Sequence, residues 1–261
     1  MDFIQIAVLG IVQGLTEFLP ISSSGHLVLI PWFLGWDYQG LSLDVALHFG
    51  TLLAVVIYFF EDWLDIFKSA FLGKKNKYPK NFFWFLVVAS IPGALAGFFL
   101  EDLAENLFRN PLLIAFSLAF FGFWLFYFDK KGLKKKTEKK ISFKEAIYIG
   151  IAQVIAIIPG TSRSGITITA GLKIGLDRKS AARFSFLMST PIIFGAAVFK
   201  FKDFLATEIG LAQIMGISLA AVSGYIAIAG LIKLVEKVSY KWFFWYRLIL
   251  AGLIVIFWFY K

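Results

Sequence analysis

The chain of 261 residues is 59% hydrophobic and only 16% charged, with a mean hydropathy of +0.77, which excludes a soluble globular domain and describes a polytopic membrane protein. Its formal charge of +9 sits in loops between apolar segments, so the basic residues point to membrane topology rather than to nucleic acid. The absence of cysteine excludes disulfides, thiolate catalysis and cysteine-based metal sites.

The apolar segments lack the alternation of barrel strands, so helices are the spanning elements. No basic region or small-residue cleavage site accompanies the first run, Phe3 to Leu19, and no removable signal peptide is expected. That run stops at Pro20; the polar turn Ser22-Ser23-Ser24-Gly25 follows, then a second run from His26 to Leu34. The second run covers roughly 15 Å, half of a hydrocarbon core of about 30 Å. This predicts a re-entrant hairpin, with one spanning helix followed by an interfacial helix as the alternative. Three spans are expected next, Leu43 to Phe60, Phe82 to Leu100 and Pro111 to Phe128. Beyond the Lys-rich link Asp129 to Lys140 the pattern starts again. Phe143 to Ile158 runs into Pro159-Gly160-Thr161-Ser162-Arg163-Ser164-Gly165 and a short apolar piece ending at Leu176, and spans follow at Phe184 to Phe199, Leu211 to Ile232 and Trp242 to Tyr260.

Gly10-Ile11-Val12-Gln13 matches Gly150-Ile151-Ala152-Gln153, and Ser24-Gly25 matches Ser164-Gly165. The expected fold is an all-α polytopic membrane protein with an inverted-topology repeat, each half a re-entrant helix hairpin plus three transmembrane helices, six spans in total. It forms a single integral membrane domain, with repeat 1 about residues 1–128, a basic linker 129–140 and repeat 2 about residues 141–261. Lysine and arginine crowd the links Glu61–Asn81, Asp129–Lys140, Lys173–Arg183 and Lys233–Lys241, whereas Glu101–Asn110 holds only Arg109 against three acids. By the positive-inside rule both termini then lie outside and the two hairpin tips meet near the midplane. The linker is expected to be a solvated cytoplasmic connector, with anionic lipid as a secondary contact.

The two tips concentrate the polar residues. Gln13 and Glu17, four apart on a helix, point to the same place. A carboxylate in an apolar segment costs at least about 2.5 kcal/mol and normally faces a cavity. Ser22, Ser23 and Ser24, with Gly25, stand where a new helix must begin, so each serine is either an N-cap or a ligand group. Thr161, Ser162, Ser164 and Gly165 form the matching turn. Two helix N-termini converging in a low-dielectric site suit an anion, phosphate above all. Arg163 needs a partner at that depth; it pairs with phosphate oxygens or with Glu17. His26 is a candidate nucleophile or proton carrier, whereas His48, with no comparable polar neighbourhood, reads as structural or as support for the site. The abundant Phe and Trp read as packing and anchoring groups. Together these residues describe phosphoryl transfer, with His26 or Ser23 as nucleophile and Glu17 as base or metal ligand. There is no Walker lysine motif, and a site within the bilayer suits a diphosphate head on a lipid tail.

The stretches Gln13-Gly14-Leu15-Thr16-Glu17-Phe18-Leu19-Pro20-Ile21-Ser22-Ser23-Ser24-Gly25-His26 and Pro159-Gly160-Thr161-Ser162-Arg163-Ser164-Gly165 resemble the two signature motifs of the undecaprenyl-diphosphate phosphatase family, also called the bacitracin-resistance protein family. The resemblance covers the whole chain in length and motif order. It implies an enzyme of the bacterial plasma membrane that hydrolyses undecaprenyl pyrophosphate and so recycles the carrier lipid of cell-wall synthesis. Its partners would be that polyprenyl diphosphate and the surrounding lipids, with a homodimer left open. Carried over by motif, Glu17, Ser23 and His26 match the first catalytic box, and Ser162, Arg163 and Thr167 the second. Gln13 stands where many members have a glutamate, so a two-carboxylate metal site is not carried over. The resemblance also implies a divalent cation, Mg²⁺ or Ca²⁺, with Glu17 as its protein ligand. The alternative from a different class is an alternating-access carrier or flippase for an anionic lipid, which would need anion-binding groups but no nucleophile.

Overall fold

The computed structural model describes residues 3–37, 41–73, 77–100, 103, 108–199 and 210–260; most of the Glu101–Asn110 link, and Lys74 and Lys75 of the Glu61–Asn81 link, lie outside the described residues. Helices α1 (Phe3–Phe18) and α2 (Ser23–Leu34) form the first hairpin. Pro20 lacks an N–H and disfavours helical geometry at Leu19, which stops α1. Ser22 caps α2, and Gly35, in the left-handed conformation at φ 65°, closes it after 12 residues.

The expected third run divides into α3 (Leu41–Tyr58) and α4 (Phe60–Phe71), bent by 72° at Phe59. Helix α4 falls where the charged residues led us to expect a link. Phe60, Trp63, Phe67 and Phe71 recur at three- and four-residue spacing and make one apolar stripe. The rings of Phe67 and Phe71 pack on Phe83 at the start of α5 (Phe82–Phe99). Helix α6 (Pro111–Lys131) begins with Pro111 in its first turn, and the Asn110 side chain accepts from the Leu112 N–H at 2.8 Å.

In the second half, α7 (Phe143–Val154) starts on a capping box between Ser142 and Glu145 and passes into the 3₁₀ turn Ile155–Ile157. Helix α8 (Arg163–Lys173) follows the second polar turn, and α9 (Arg178–Phe199), α10 (Leu211–Lys237) and α11 (Lys241–Tyr260) complete the described chain. Helices α5, α6, α9, α10 and α11 are long and apolar enough to cross a bilayer, and the bent pair α3–α4 makes a sixth span if counted as one. The chain is an all-helical, multi-pass membrane protein.

Packing crosses between the halves. Helix α1 lies along α10, and α7 lies along α5; α3 also packs on α10, α9 on α5, and α6 on α11. Close approach explains two glycines. A Cβ on Gly10 would stand 2.6 Å from the Gly216 carbonyl oxygen, and one on Gly150 would stand 2.5 Å from that of Ala89.

The basic linker is docked rather than freely solvated. Asp129, fully buried, accepts from Arg178 Nε at 2.5 Å, Lys134 Nζ at 3.1 Å, Ser239 Oγ at 2.5 Å and the Tyr240 N–H at 2.9 Å. Arg183 donates to Asp62 at 2.7 Å, to Glu138 at 3.1 Å and to the Tyr78 hydroxyl at 2.8 Å. Burial pushes the Tyr78 phenol up, which keeps it a donor to Asp62 at 2.7 Å. Two acidic side chains, Asp129 and Glu138, therefore fasten the linker to the helix ends.

Candidate active site

The two polar turns have the same local construction. Ser22 and Ser162 adopt φ of 74° and 71°, values that L-residues rarely take. Each serine caps the following helix, accepting from the Gly25 N–H at 3.3 Å and the Gly165 N–H at 3.0 Å respectively. Each also lies beside a second serine hydroxyl, Ser24 at 3.4 Å and Ser164 at 3.1 Å. The result places Ser23 and Ser24 in the first turn of α2, and Arg163 and Ser164 in the first turn of α8, at the positive ends of both helix dipoles.

The turns are bonded directly to one another. The Gly160 N–H donates to Ser22 Oγ at 2.9 Å, and Ser164 Oγ donates to the Leu19 carbonyl at 3.2 Å. Ser22 Oγ thus serves both turns at once.

Glu17, on the last turn of α1, is the centre of this junction. Arg163 Nη2 donates to its Oε1 at 2.7 Å; Ser23 Oγ donates to its Oε2 at 2.5 Å, and Gln13 Nε2 to the same oxygen at 3.0 Å. The short Ser23 bond is of the charge-assisted O–H···O⁻ kind. Glu17 is 6% exposed, whereas Ser23 and Arg163 are only partly covered. Arg163 Nη1 also donates to the Ser185 carbonyl at 3.3 Å, and Thr167 Oγ1, one turn below, bonds the Arg163 carbonyl at 2.8 Å and the Ser185 hydroxyl at 2.7 Å. Ser185 and Thr167 hold the arginine from behind.

His26 does not join Glu17. Its Nδ1 lies 2.7 Å from the Ser22 carbonyl and its Nε2 lies 2.6 Å from the Tyr246 hydroxyl, on α11. His48 does come near: its Nδ1 donates to the Asp44 carbonyl at 2.6 Å, and its Nε2 stands 3.6 Å from Glu17 Oε2. The reading of His48 as lacking a polar neighbourhood fails because helix α3 packs against α1 at the level of Glu17, a tertiary contact that residue spacing does not carry. Thr161 contributes its carbonyl, which accepts from Arg247 Nη2 at 2.5 Å, while its hydroxyl is buried without a hydrogen-bonding partner among the described residues.

Ser185, Tyr246 and Arg247 were not anticipated from the sequence. Arg247 carried a usable signal, as a lone cation within the apolar run Trp242 to Tyr260. Ser185 and Tyr246 carried none beyond polarity.

This donor set forms no protein cage for a resident divalent cation. Both Glu17 oxygens accept from protein donors, one of them a guanidinium, and no cluster of three or more His, Cys, Asp or Glu side chains occurs among the described residues. An all-protein cage of six or more oxygens is thus lacking, and Mg²⁺ is ordinarily held by one or two carboxylates together with water and substrate phosphates.

The pairing can do acid–base chemistry on an anionic substrate. Ser23 is placed to lose a proton to Glu17, with Arg163 and two helix N-termini facing the same space. The family model described as bacitracin resistance protein BacA matches residues 6–253. The chain is 51% identical over 259 residues to a protein named undecaprenyl-diphosphatase from Moorella thermoacetica, covering 99% of each chain. It is 49% identical over 256 residues to one of the same name from Pelotomaculum thermopropionicum, covering 98% of this chain and 96% of the relative. A third, from Desulforudis audaxviator, is 48% identical over 249 residues, 95% of each.

Proposed function

The chain belongs to the bacitracin resistance protein BacA family, and from that premise we infer that it hydrolyses undecaprenyl diphosphate to undecaprenyl phosphate and inorganic phosphate in the bacterial plasma membrane. The observation that carries the chemistry is the bonded chain Ser23–Glu17–Arg163 at the meeting of the two turns.

In this reading Arg163 exchanges Glu17 for phosphate oxygens, which its planar fork suits, and the N-terminal turns of α2 and α8 face the remaining charge. Ser23 Oγ attacks the terminal phosphorus while its proton passes to Glu17. The new O–P bond forms as the bond to the bridging oxygen breaks, and the electron pair leaves with undecaprenyl phosphate. The proton on Glu17 goes to the leaving oxygen. Glu17 then takes a proton from water, whose oxygen displaces Ser23 from phosphorus, and that proton returns to Ser23 Oγ. His26 is the other nucleophile or proton carrier consistent with the motif, but its Nε2 is engaged by Tyr246, so the geometry supports Ser23. Mg²⁺ or Ca²⁺ would enter only as a companion of the diphosphate itself.

The fold reading extends to an inverted-topology repeat. It is supported by the shared turn conformation at Ser22 and Ser162, by the crossed packing of α1 on α10 and α7 on α5, and by the Gly10 and Gly150 approaches. Basic residues in the loops support termini on the outer side of the membrane.

Phosphate release from undecaprenyl diphosphate by the purified protein in detergent is the deciding assay. Glu17→Gln, Ser23→Ala and Arg163→Ala are each expected to lower kcat by at least about 100-fold, the range for losing a general base, a nucleophile or a charge-stabilising donor. Near-normal turnover in all three overturns the reading. Redistribution of the lipid across liposomes without phosphate release would support the carrier instead.

A further inference from the structure

Two consecutive residues of α11 each touch one of the turns. The Tyr246 and His26 rings lie edge to edge, 5.8 Å apart and 9° from parallel, and the Tyr246 hydroxyl lies 2.6 Å from His26 Nε2. The other ring nitrogen faces the Ser22 carbonyl. A carbonyl only accepts, so Nδ1 carries the proton, and in the neutral ring Nε2 accepts from the Tyr246 hydroxyl. The Ser22 carbonyl therefore sets the tautomer, and Tyr246 holds the orientation of a ring bonded to the residue that caps α2.

Arg247 does the corresponding work on the second turn. Its side chain is wholly buried, and Nη2 donates to the Thr161 carbonyl at 2.5 Å and reaches the Gly160 carbonyl at 3.4 Å. These are the two carbonyls immediately before Ser162. Two glycines make the slot: a Cβ on Gly122 would come within 3.1 Å of Arg247 Cδ, and one on Gly165 within 3.2 Å of Nη2. Nε and Nη1 are buried without hydrogen-bonding partners, and no carboxylate forms an ion pair with Arg247, among the described residues. A buried guanidinium held so incompletely is a costly way to fill space between α6, α8 and α11, where an apolar side chain would pack at no electrostatic penalty. Its return is the carbonyl pair that it fixes.

We propose that Tyr246 and Arg247 are a positioning pair: α11 sets the first turn through His26 and Ser22 and the second through Gly160 and Thr161, and so fixes the spacing between Ser23 and Arg163. Neither residue is bonded to Glu17, Ser23 or Arg163. The proposal rests on the reading of those three as the reacting site. Misplacing a reacting group by about 1 Å costs on the order of 100-fold in rate without removing any binding contact. The effect belongs in kcat.

The test uses the full chain in detergent with undecaprenyl diphosphate, measuring kcat and KM separately beside thermal unfolding. Wild type must release phosphate and Glu17→Gln must abolish release; failure there defeats the site reading itself and is seen before any α11 variant is made. With that control in hand, Tyr246→Phe, which removes one hydroxyl, is expected to lower kcat about tenfold with KM within threefold and the melting temperature nearly unchanged. Arg247→Gln is expected to lower kcat about 100-fold, and Arg247→Lys, which keeps a donor and the charge, to recover part of that loss. If Arg247→Gln fails to fold, Tyr246→Phe and Arg247→Lys decide the matter alone. Both retaining kcat within twofold of wild type, or a loss lying wholly in KM, overturns the proposal.

Discussion

Ser22 accepts hydrogen bonds from a glycine in each half of the protein while sitting at a φ that favours glycine. These two demands pull in opposite directions, and they make a discriminating substitution series. Ser22→Ala keeps the unfavourable backbone and loses the acceptor, leaving two buried N–H groups unserved. It is expected to destabilise by about 1–3 kcal/mol. Ser22→Gly loses the same acceptor but relieves the backbone, so its melting temperature should fall between alanine and wild type. Equal melting temperatures for the two variants would remove backbone strain from the account. What the sequence told about individual side chains follows the same physics. Glu17 and Arg163 were legible because a charge in an apolar run is costly wherever it faces. His48 and Tyr246 were not, because their significance lies in which helices pack together, and residue type says nothing of that.

Among the helices, the crossed packing of α1 on α10 and α7 on α5 depends on glycine at the crossing points. A methyl group at Gly10 or Gly150 would drive into a partner's carbonyl oxygen, and overpacking of this kind costs about 1–3 kcal/mol. Gly10→Ala and Gly150→Ala are therefore expected to lower the melting temperature and to reduce phosphate release together, since α1 and α7 carry the chain into the two turns. Gly97, with no atom of the described residues within 4 Å of its would-be Cβ, provides the control, and Gly97→Ala should leave both measurements unchanged. Helix boundaries were largely readable: proline at the end of α1, serine and asparagine caps, and apolar runs of the right length. Helix α4 was missed because its acids and lysine outweighed its aromatic stripe in a reading dominated by charge. The docked linker was missed for a related reason, since seven lysines in twelve residues read as solvent-facing until Asp129 and Glu138 are seen bound beneath them.

For the molecule as a whole, the crossed arrangement means that neither half can cover its own first helix. Separate expression of residues 1–133 and 134–261, a division next to the exposed Leu133, is expected to yield fragments that are degraded singly. Co-expressed, they should assemble and release phosphate, because Asp129 on one fragment is held by Lys134, Arg178 and Ser239 on the other. Activity from either fragment alone would contradict the shared site. Loss of the buried Asp129 cluster through Asp129→Ala should cost about 3–5 kcal/mol, because it strands charges that the carboxylate now balances; reduced yield of folded protein on size exclusion is the measurement.

The bond between Glu17 and Arg163 spans 146 positions of sequence, and this has a consequence in time. A ribosome delivers the carboxylate long before the guanidinium exists, and delivers the α10 surface on which α1 will lie later still. The first hairpin must therefore wait, at the bilayer surface or within the insertion machinery, for a partner more than half a chain away. The reacting site is among the last features to form during biogenesis, and a chain stopped before α8 would present an uncompensated acid to the lipid, a mark by which a cell could tell an unfinished molecule from a finished one.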